Sequence, residues 1–163
     1  MKMLRAIVIV FSLVVMASGC GFQLRGTDTM PEQLMQARID AVDPFSPLLR
    51  ELRPRLQAAG VDLDQPEQPA RIVISQDELR TEVLSVGAQA RVREFELVYQ
   101  LRFRVLDAEG QLLLANQQLE LRREFSFDEA QLLGKAREEE FLRDELYRQM
   151  AELIMVRLSA INP

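Results

Sequence analysis

Side chains that commonly catalyse reactions or bind metals are scarce in this chain. It has 163 residues, no histidine, no tryptophan and one cysteine, Cys20. Without histidine, neither a Ser-His-Asp triad nor a Cys-His pair can form. Transition metals such as zinc favour imidazole or several thiolates, so such a centre is also excluded. The sequence therefore predicts no enzyme, no metal site and no cofactor.

Carboxylates are the remaining catalytic candidates. Glycan hydrolysis needs two carboxyl groups about 5–9.5 Å apart with separated pKa values. The run Glu138–Glu140 lies in a predicted helix, where consecutive side chains point in different directions, so we interpret it as a solvated face. The segment Gln76–Glu78 lacks the spacing of a calcium-binding EF-hand, and Tyr99 is predicted to lie in the core. A cell-wall glycan enzyme that uses carboxylates alone stays open as an alternative.

Basic side chains form the more informative set. Arg91, Arg93, Arg102 and Arg104 belong to one predicted hairpin, and Lys135 is the only lysine after residue 19. Arginine and lysine bind phosphate and carboxylate groups. Cross-strand pairing of these arginines offers an alternative role, with Glu94, Glu96, Glu120 and Glu124 as partners. The net charge of −5 argues against a nucleic-acid partner.

The N-terminal residues are typical of a secretory signal. Lys2 and Arg5 precede the apolar stretch 6–17, and small residues follow it immediately before Cys20. The apolar stretch is shorter than the roughly 20 residues of a transmembrane helix. We predict a signal peptide over residues 1–19 and a single domain over residues 20–163. Removal of the signal would leave a net charge of −7.

The position of Cys20 resembles the lipobox of bacterial lipoproteins, in which the thiol carries acyl chains such as palmitate. Ala17 stands where Leu is usual, and ordinary secretion with a chance cysteine is the alternative interpretation. Acyl chains anchor firmly, because each buried CH₂ contributes about 0.8 kcal/mol. Gly21 stands where Asp would resemble an inner-membrane retention signal, which favours the outer membrane, facing the periplasm.

The elements that must position these residues begin with a strand and a helix. Residues 38–42 alternate between polar and apolar and predict a short strand. Ser46 as a cap, Pro47 at the first position and Gly60 as a stop bound a predicted helix. Pro54 lies inside that helix and predicts a kink or a helix in two pieces.

Between residues 70 and 125 the hydrophobic period becomes 2. The segment 95–105 predicts a long strand with one apolar and one mostly charged face. An earlier strand runs from Ile72 towards Val86, and residues 87–91 predict a loop. The turn Asp107–Gly110 leads to a returning strand, which carries Leu113, Ala115, Leu119 and Leu121.

A long amphipathic helix closes the chain. Ser126 and Glu129 fit a capping box, and Glu139–Arg143 and Asp144–Arg148 are predicted ion pairs. Its apolar stripe comprises Leu132, Leu133, Ala136, Leu142, Leu146, Met150, Leu153, Ile154 and Leu158. This order predicts a two-layer α+β sandwich, with two helices on one face of a mostly antiparallel, mixed four-stranded sheet. The other face, bearing Arg102 and Arg104, is left open.

The run from Cys20 to Gly26 resembles the mature N-terminus of the LptE family of LPS-assembly lipoproteins. Residues 43–50, the Gly60–Leu63 exit from the first helix, Glu94–Phe95, the 107–110 turn and the closing helix also fit. The resemblance implies a plug and assembly partner inside the outer-membrane β-barrel LptD, and together the two place lipopolysaccharide in the outer leaflet.

The resemblance also implies contact with lipopolysaccharide through basic residues. Lys135 matches a family lysine with that role. The family's loop arginine aligns near Ala88, so this chain departs from the pattern, and Arg91 and Arg93 are the nearest substitutes. Another outer-membrane lipoprotein scaffold, serving a different envelope assembly or transport machine, is the alternative function.

Overall fold

A four-stranded sheet covered by two helices accounts for most of the chain described by the computed structural model. The described residues are 30–64, 67, 69–87, 91–126 and 132–161. After a short 3₁₀ turn at Glu32–Leu34, the elements are β1 (Ala37–Ala41), α1 (Pro47–Ala58), β2 (Ala70–Gly87), β3 (Arg91–Leu106), β4 (Leu112–Ser126) and α2 (Leu132–Ser159). The predicted α+β class is confirmed.

The sheet has the order β1-β2-β3-β4 and mixed strand directions. β1 runs parallel to β2, whereas the β2–β3 and β3–β4 pairs are antiparallel. A parallel pair needs a crossover between its strands, and α1 supplies it. The turn after β3 contains Gly110 with φ +83°, a conformation that glycine adopts without steric cost.

β3 is central, and its alternation is as predicted. One side carries the apolar side chains of the core and is called the inner face. The opposite side, which neither described helix covers, is called the polar sheet face. The inner-face residues are Phe95, Leu97, Tyr99, Leu101, Phe103 and Val105. Phe95 stacks on Phe125 of β4 with ring centroids 5.4 Å apart.

β2 contains a bulge that sequence periodicity does not reveal. Ile72 and Ile74 are buried, but the register with β3 shifts between Ile74 and Gln76, leaving Ser75 without a Cα partner. The extra residue moves the inner-face positions from even to odd numbers, so that Asp77 and then Leu79 face the helices. This shift explains the irregular pattern around Gln76–Glu78.

α1 is one continuous helix, so the predicted alternative of two pieces is wrong. The Ser46 hydroxyl accepts a hydrogen bond from the Leu48 amide at 3.1 Å. At the other end Gly60 has φ +87°, and the Val61 amide donates to the Leu56 carbonyl at 3.0 Å. Pro54 removes the bond to the Arg50 carbonyl, but both residues are exposed, so water can replace it.

α2 begins later than predicted. Ser126 is the last residue of β4 and pairs with Glu94, so the capping-box prediction at Ser126 is wrong. Continued pairing with β3 and burial of Phe125 favour strand there. The stripe itself is confirmed at four fully buried positions, Leu146, Met150, Ile154 and Leu158, but the prediction is wrong at Leu153, which is exposed. The side chains of Leu132, Leu133 and Ala136 lie outside the described residues.

Two smaller observations concern β4 and α2. A register shift opposite Phe103 and Val105 leaves Ala115 of β4 exposed. The ion pair between Glu139 and Arg143 forms at 2.7 Å, but Arg148 donates to the backbone carbonyl of Asp144 and not to its carboxylate.

Candidate functional site

The residues predicted to contact lipopolysaccharide lie near the starts of β3 and α2. Arg91 pairs with Gly87 and closes the β2–β3 hairpin, with Arg93 two residues further along β3. Lys135 lies in the first turn of α2, shortly after β4 ends at Ser126. Because Ser126 pairs with Glu94, β4 ends at the same end of the sheet at which β3 begins. We call this the hairpin end.

The side chains of Arg91, Arg93 and Lys135 lie outside the described part of the structure, as do Cys20 and Ala88 entirely. The backbone is therefore compatible with a common basic site at the hairpin end. The assignment of lipid attachment to Cys20, and of lipopolysaccharide contact to the three basic residues, stays a prediction.

The polar sheet face carries a hydrogen-bonded row of charged side chains that crosses three strands. Arg80 Nη1 donates to Gln100 Oε1 at 3.0 Å, and Gln100 Nε2 donates to Glu120 Oε2 at 2.6 Å. Arg122 Nε donates to the other oxygen of Glu120 at 2.8 Å. The row therefore links β2, β3 and β4 side by side, and it holds these side chains in fixed positions.

Two residues of this face are buried although neither of the two described helices covers it. Val98 is fully buried, and its register partners are Arg80 on β2 and Arg122 on β4. The apolar stems of these long side chains can cover valine while their charged heads stay in water. Glu96 is 7% exposed and accepts a hydrogen bond from Arg122 Nη1 at 2.8 Å. Arg122 thus joins Glu96 to Glu120.

Sequence reasoning missed Arg80 and Arg122 as the organising cations of this face. The available signal was their alternation with apolar residues on β2 and β4. Recognising them also needed the register across β3, which the bulge at Ser75 obscured.

Arg102 and Arg104 lie towards the opposite end of β3 and remain exposed. The alternative in which they pair with Glu94, Glu96, Glu120 or Glu124 is not what the structure shows. Glu96 and Glu120 bind Arg122 instead. Within the described ranges, neither Arg102 nor Arg104 side chain forms a hydrogen bond or an ion pair.

Near them, Asp40 of β1 joins two further arginines. Its carboxylate lies 2.9 Å from Arg38 Nε and 2.8 Å from Arg71 Nε. Partial burial opposes ionisation, but the hydrogen bonds from Arg71 and Arg38 outweigh burial and lower the pKa of Asp40.

A polar junction connects the sheet to the start of α1. The Asp77 carboxylate accepts hydrogen bonds from the Ser46 hydroxyl and, at 2.7 Å, from the Tyr99 hydroxyl. Burial and the neighbouring Asp77 charge raise the pKa of Tyr99. Tyr147 of α2 packs edge-on against Tyr99, with centroids 5.2 Å apart. The prediction that Tyr99 belongs to the core is confirmed.

An open cleft of about 470 Å³ lies between the two helices. Its lining includes Arg50 and Glu51 of α1 and Glu140, Asp144 and Arg148 of α2. Glu138 is exposed and Glu139 pairs with Arg143, which agrees with a solvated charged face.

No group of three or more metal-ligating side chains occurs among residues 30–161 as far as they are described. In that same portion, neither helix is long and apolar enough to cross a membrane.

Comparisons with known proteins point to one family. A family model described as LptE, lipopolysaccharide-assembly, matches residues 35–158. The chain is 29% identical to the LPS-assembly lipoprotein LptE of Pectobacterium atrosepticum, over 91% of this chain and 82% of that protein. Its identity to the protein of the same name from Yersinia enterocolitica is 28%, over 91% of this chain and 72% of that protein.

Solved structures agree with the sequence comparisons. The solution structure of an uncharacterized lipoprotein B from Nitrosomonas europaea has a TM-score of 0.72 and 31% identity, over 86% of this chain and 91% of that chain. The crystal structure of rare lipoprotein B from Shewanella oneidensis has a TM-score of 0.66 and 28% identity, over 77% of this chain and 94% of that chain.

Proposed function

The chain belongs to the LptE family, and we propose that it is a lipopolysaccharide-assembly lipoprotein of the bacterial envelope. The observation that carries this function is the family match over residues 35–158, which spans both helices and all four strands. The function resides in the whole fold and its surfaces, and the protein acts by occupying and binding, without catalysis.

The proposed partner is an LptD-like β-barrel of the outer membrane, with this protein as a plug and scaffold in its lumen. The interior of a large transmembrane barrel is polar and wet. The polar sheet face supports the proposal, because its charged side chains are held in place without a covering layer. Such a face suits a polar protein wall better than a hydrocarbon environment.

Capture of the partner tests this proposal. A tagged full-length protein, extracted from outer membranes in mild detergent, should bring down a large β-barrel of the LptD type, identified by mass spectrometry. Recovery of a different envelope machine would assign the protein to another scaffold, and recovery of no barrel would contradict the plug.

We also propose that Cys20 carries the lipid anchor and that residues 1–19 are the signal removed before it. Cys20→Ala should leave an unprocessed precursor of higher apparent mass. The control Ser18→Ala keeps a small residue before the cysteine and should be processed normally. Normal maturation and outer-membrane retention of the Cys20 variant would exclude lipidation at this residue.

Lipopolysaccharide contact is assigned to the hairpin end, through Arg91, Arg93 and Lys135. The end of β4 beside the start of β3 supports this, since α2 with Lys135 follows β4 in the chain and arginine and lysine together suit the phosphates of lipid A. The variant Arg91→Glu with Lys135→Glu should weaken lipopolysaccharide binding at least tenfold.

The matched control is Arg53→Glu with Arg157→Glu, because both arginines are exposed on the helices and the charge change is the same. This control should change lipopolysaccharide binding less than twofold. Equal binding by the two double variants would refute the assignment.

A further inference from the structure

The charges of the polar sheet face are segregated along the strands. Towards the hairpin end, carboxylates outnumber arginines among the described side chains, since Arg80 and Arg122 lie among Glu78, Glu82, Glu96, Glu120 and Glu124. At the opposite end, Asp40 is the only carboxylate that the described part of the face places among Arg38, Arg71, Arg102 and Arg104. We call this second region the cationic end. The face is thus a flat surface with a charge polarity along its length.

The pairing state differs between the two regions. Arg80 and Arg122 are engaged with Glu82, Gln100, Glu96 and Glu120. At the cationic end, Asp40 accepts from Arg38 and Arg71. The side chains of Arg102 and Arg104 have no carboxylate partner among the described residues. Asp107, the carboxylate nearest to them along the chain, accepts from the Gln111 amide instead. The cationic charge available to a partner therefore centres on these two arginines.

The geometry around Arg102 and Arg104 selects the kind of partner. Both residues pair with β2, and Arg102 also pairs with β4, whereas Arg104 has no Cα partner on β4 because the register shifts there. Arg102 and Arg104 are two residues apart on one strand, so their Cα atoms are about 6.7 Å apart. Side chains on the inner wall of a β-barrel alternate with outward ones and so repeat at the same spacing.

We propose that the polar sheet face docks on the inner wall of the barrel partner, with Arg102 and Arg104 against acidic side chains at alternate positions of one barrel strand. This inference rests on the proposed function and names the surface that performs it. Two arginines at strand spacing bind two carboxylates at strand spacing, each with charge-assisted hydrogen bonds. The ordered row around Gln100 needs little rearrangement on docking.

The charge polarity also sets the orientation. If the face docked the other way round, the carboxylates around Glu82 and Glu124 would meet the acidic wall, and like charges would repel. Docking is therefore expected in one direction only, with the hairpin end held away from the acidic strand.

The experiment measures recovery of the barrel with tagged full-length variants co-expressed with it. Arg102→Glu with Arg104→Glu should lower barrel recovery at least tenfold, and Arg102→Gln with Arg104→Gln should give an intermediate loss. The control Arg53→Glu with Arg157→Glu makes the same charge change on the helix layer and should lose less than twofold. Thermal unfolding of each purified variant identifies any that misfold. The variant with two glutamines is expected to disturb folding less than the variant with two glutamates.

The outcomes separate this inference from the proposed function. If the unmodified protein recovers no barrel, the proposed function fails. If it does recover the barrel but the Arg102 and Arg104 variants lose no more than the control, the docking face is wrong. If these variants lose lipopolysaccharide binding while keeping the barrel, the two arginines bind phosphate and the inference is also overturned.

Discussion

Asp77 shows how a single residue can connect the two layers of this fold. Its carboxylate accepts from the Ser46 hydroxyl, and that hydroxyl also caps α1 by accepting from the Leu48 amide. The same carboxylate accepts from Tyr99, which is fully buried in the core. A buried hydroxyl without a partner costs free energy, so the helix start and the core tyrosine both depend on Asp77.

A double-mutant cycle measures this dependence. Asp77→Ala should lower the free energy of unfolding by about 2–3 kcal/mol, because Tyr99 loses its acceptor and the cap loses its support. Tyr99→Phe alone should cost about 1–2 kcal/mol. Urea unfolding of the double variant should show a loss smaller than the sum by about 0.5–2 kcal/mol. Strict additivity would mean that the two side chains do not interact.

Asp40 makes a second residue-scale contribution, and it depends on pH. In the folded protein the pKa of Asp40 is lowered below 3.8, so the ionised carboxylate stabilises the fold at pH values above its unfolded pKa. This stabilisation is lost as the pH falls through the folded pKa. Asp40→Asn should therefore cost about 0.5–1 kcal/mol at pH 7. The difference from the parent protein should shrink between pH 5 and pH 2.

Urea unfolding across that pH range provides the measurement. Asp144→Asn is a suitable control, because the Asp144 carboxylate is exposed and forms no ion pair among the described residues. A stability difference for Asp40→Asn that stayed constant down to pH 2 would contradict electrostatic stabilisation by Arg38 and Arg71.

At the scale of elements, the bulge in β2 decides which side chains face the helices. Before Ser75 the buried positions are Ile72 and Ile74, and after it the inner face continues at Asp77 and Leu79. If Ser75 instead occupied a regular paired position, one of these two sets would have to turn towards solvent. The bulge therefore brings Asp77 to the helix layer and Arg80 to the polar sheet face.

Deletion variants test this account. Removing Ser75 should leave a cooperatively folding protein that loses only about 1–2 kcal/mol, because the remaining residues fall into one regular register. Removing Glu78 instead places Leu79 directly after Asp77, which inverts one part of the strand and should abolish cooperative unfolding. Circular dichroism during urea unfolding distinguishes the two, and equal damage from both deletions would contradict the bulge's role.

The sequence predicted the elements whose pattern is local and failed where distant contacts decide. The alternation of β3 from Phe95 to Val105 and the buried positions of α2 from Leu146 to Leu158 depend on neighbouring residues alone, and they were predicted except at Leu153, which is exposed. Ser126 looked like a helix cap, but pairing with Glu94 and burial of Phe125 extend β4 through it. The partners of Arg80 and Arg122 depend on register across three strands, which no local pattern contains.

At the scale of the whole molecule, the two proposed binding regions are far apart. Arg91 and Arg102 lie eleven residues apart on β3, which corresponds to about 36 Å of strand. Screening at physiological salt limits the direct influence of exposed charges to about 8 Å. A charge change at the hairpin end should therefore leave the cationic end electrostatically undisturbed, and the reverse also holds.

This separation predicts two distinct defects. Arg91→Glu with Lys135→Glu should lose lipopolysaccharide binding at least tenfold while keeping barrel recovery within twofold of the parent protein. Arg102→Glu with Arg104→Glu should lower barrel recovery at least tenfold while keeping lipopolysaccharide binding within twofold of the parent protein. Combining all four changes should give both defects at their single-site magnitudes, since sites this far apart contribute independently. If each pair instead impaired both activities equally, the two ends would form one continuous interface, and contact with the barrel would control access of lipopolysaccharide to the protein.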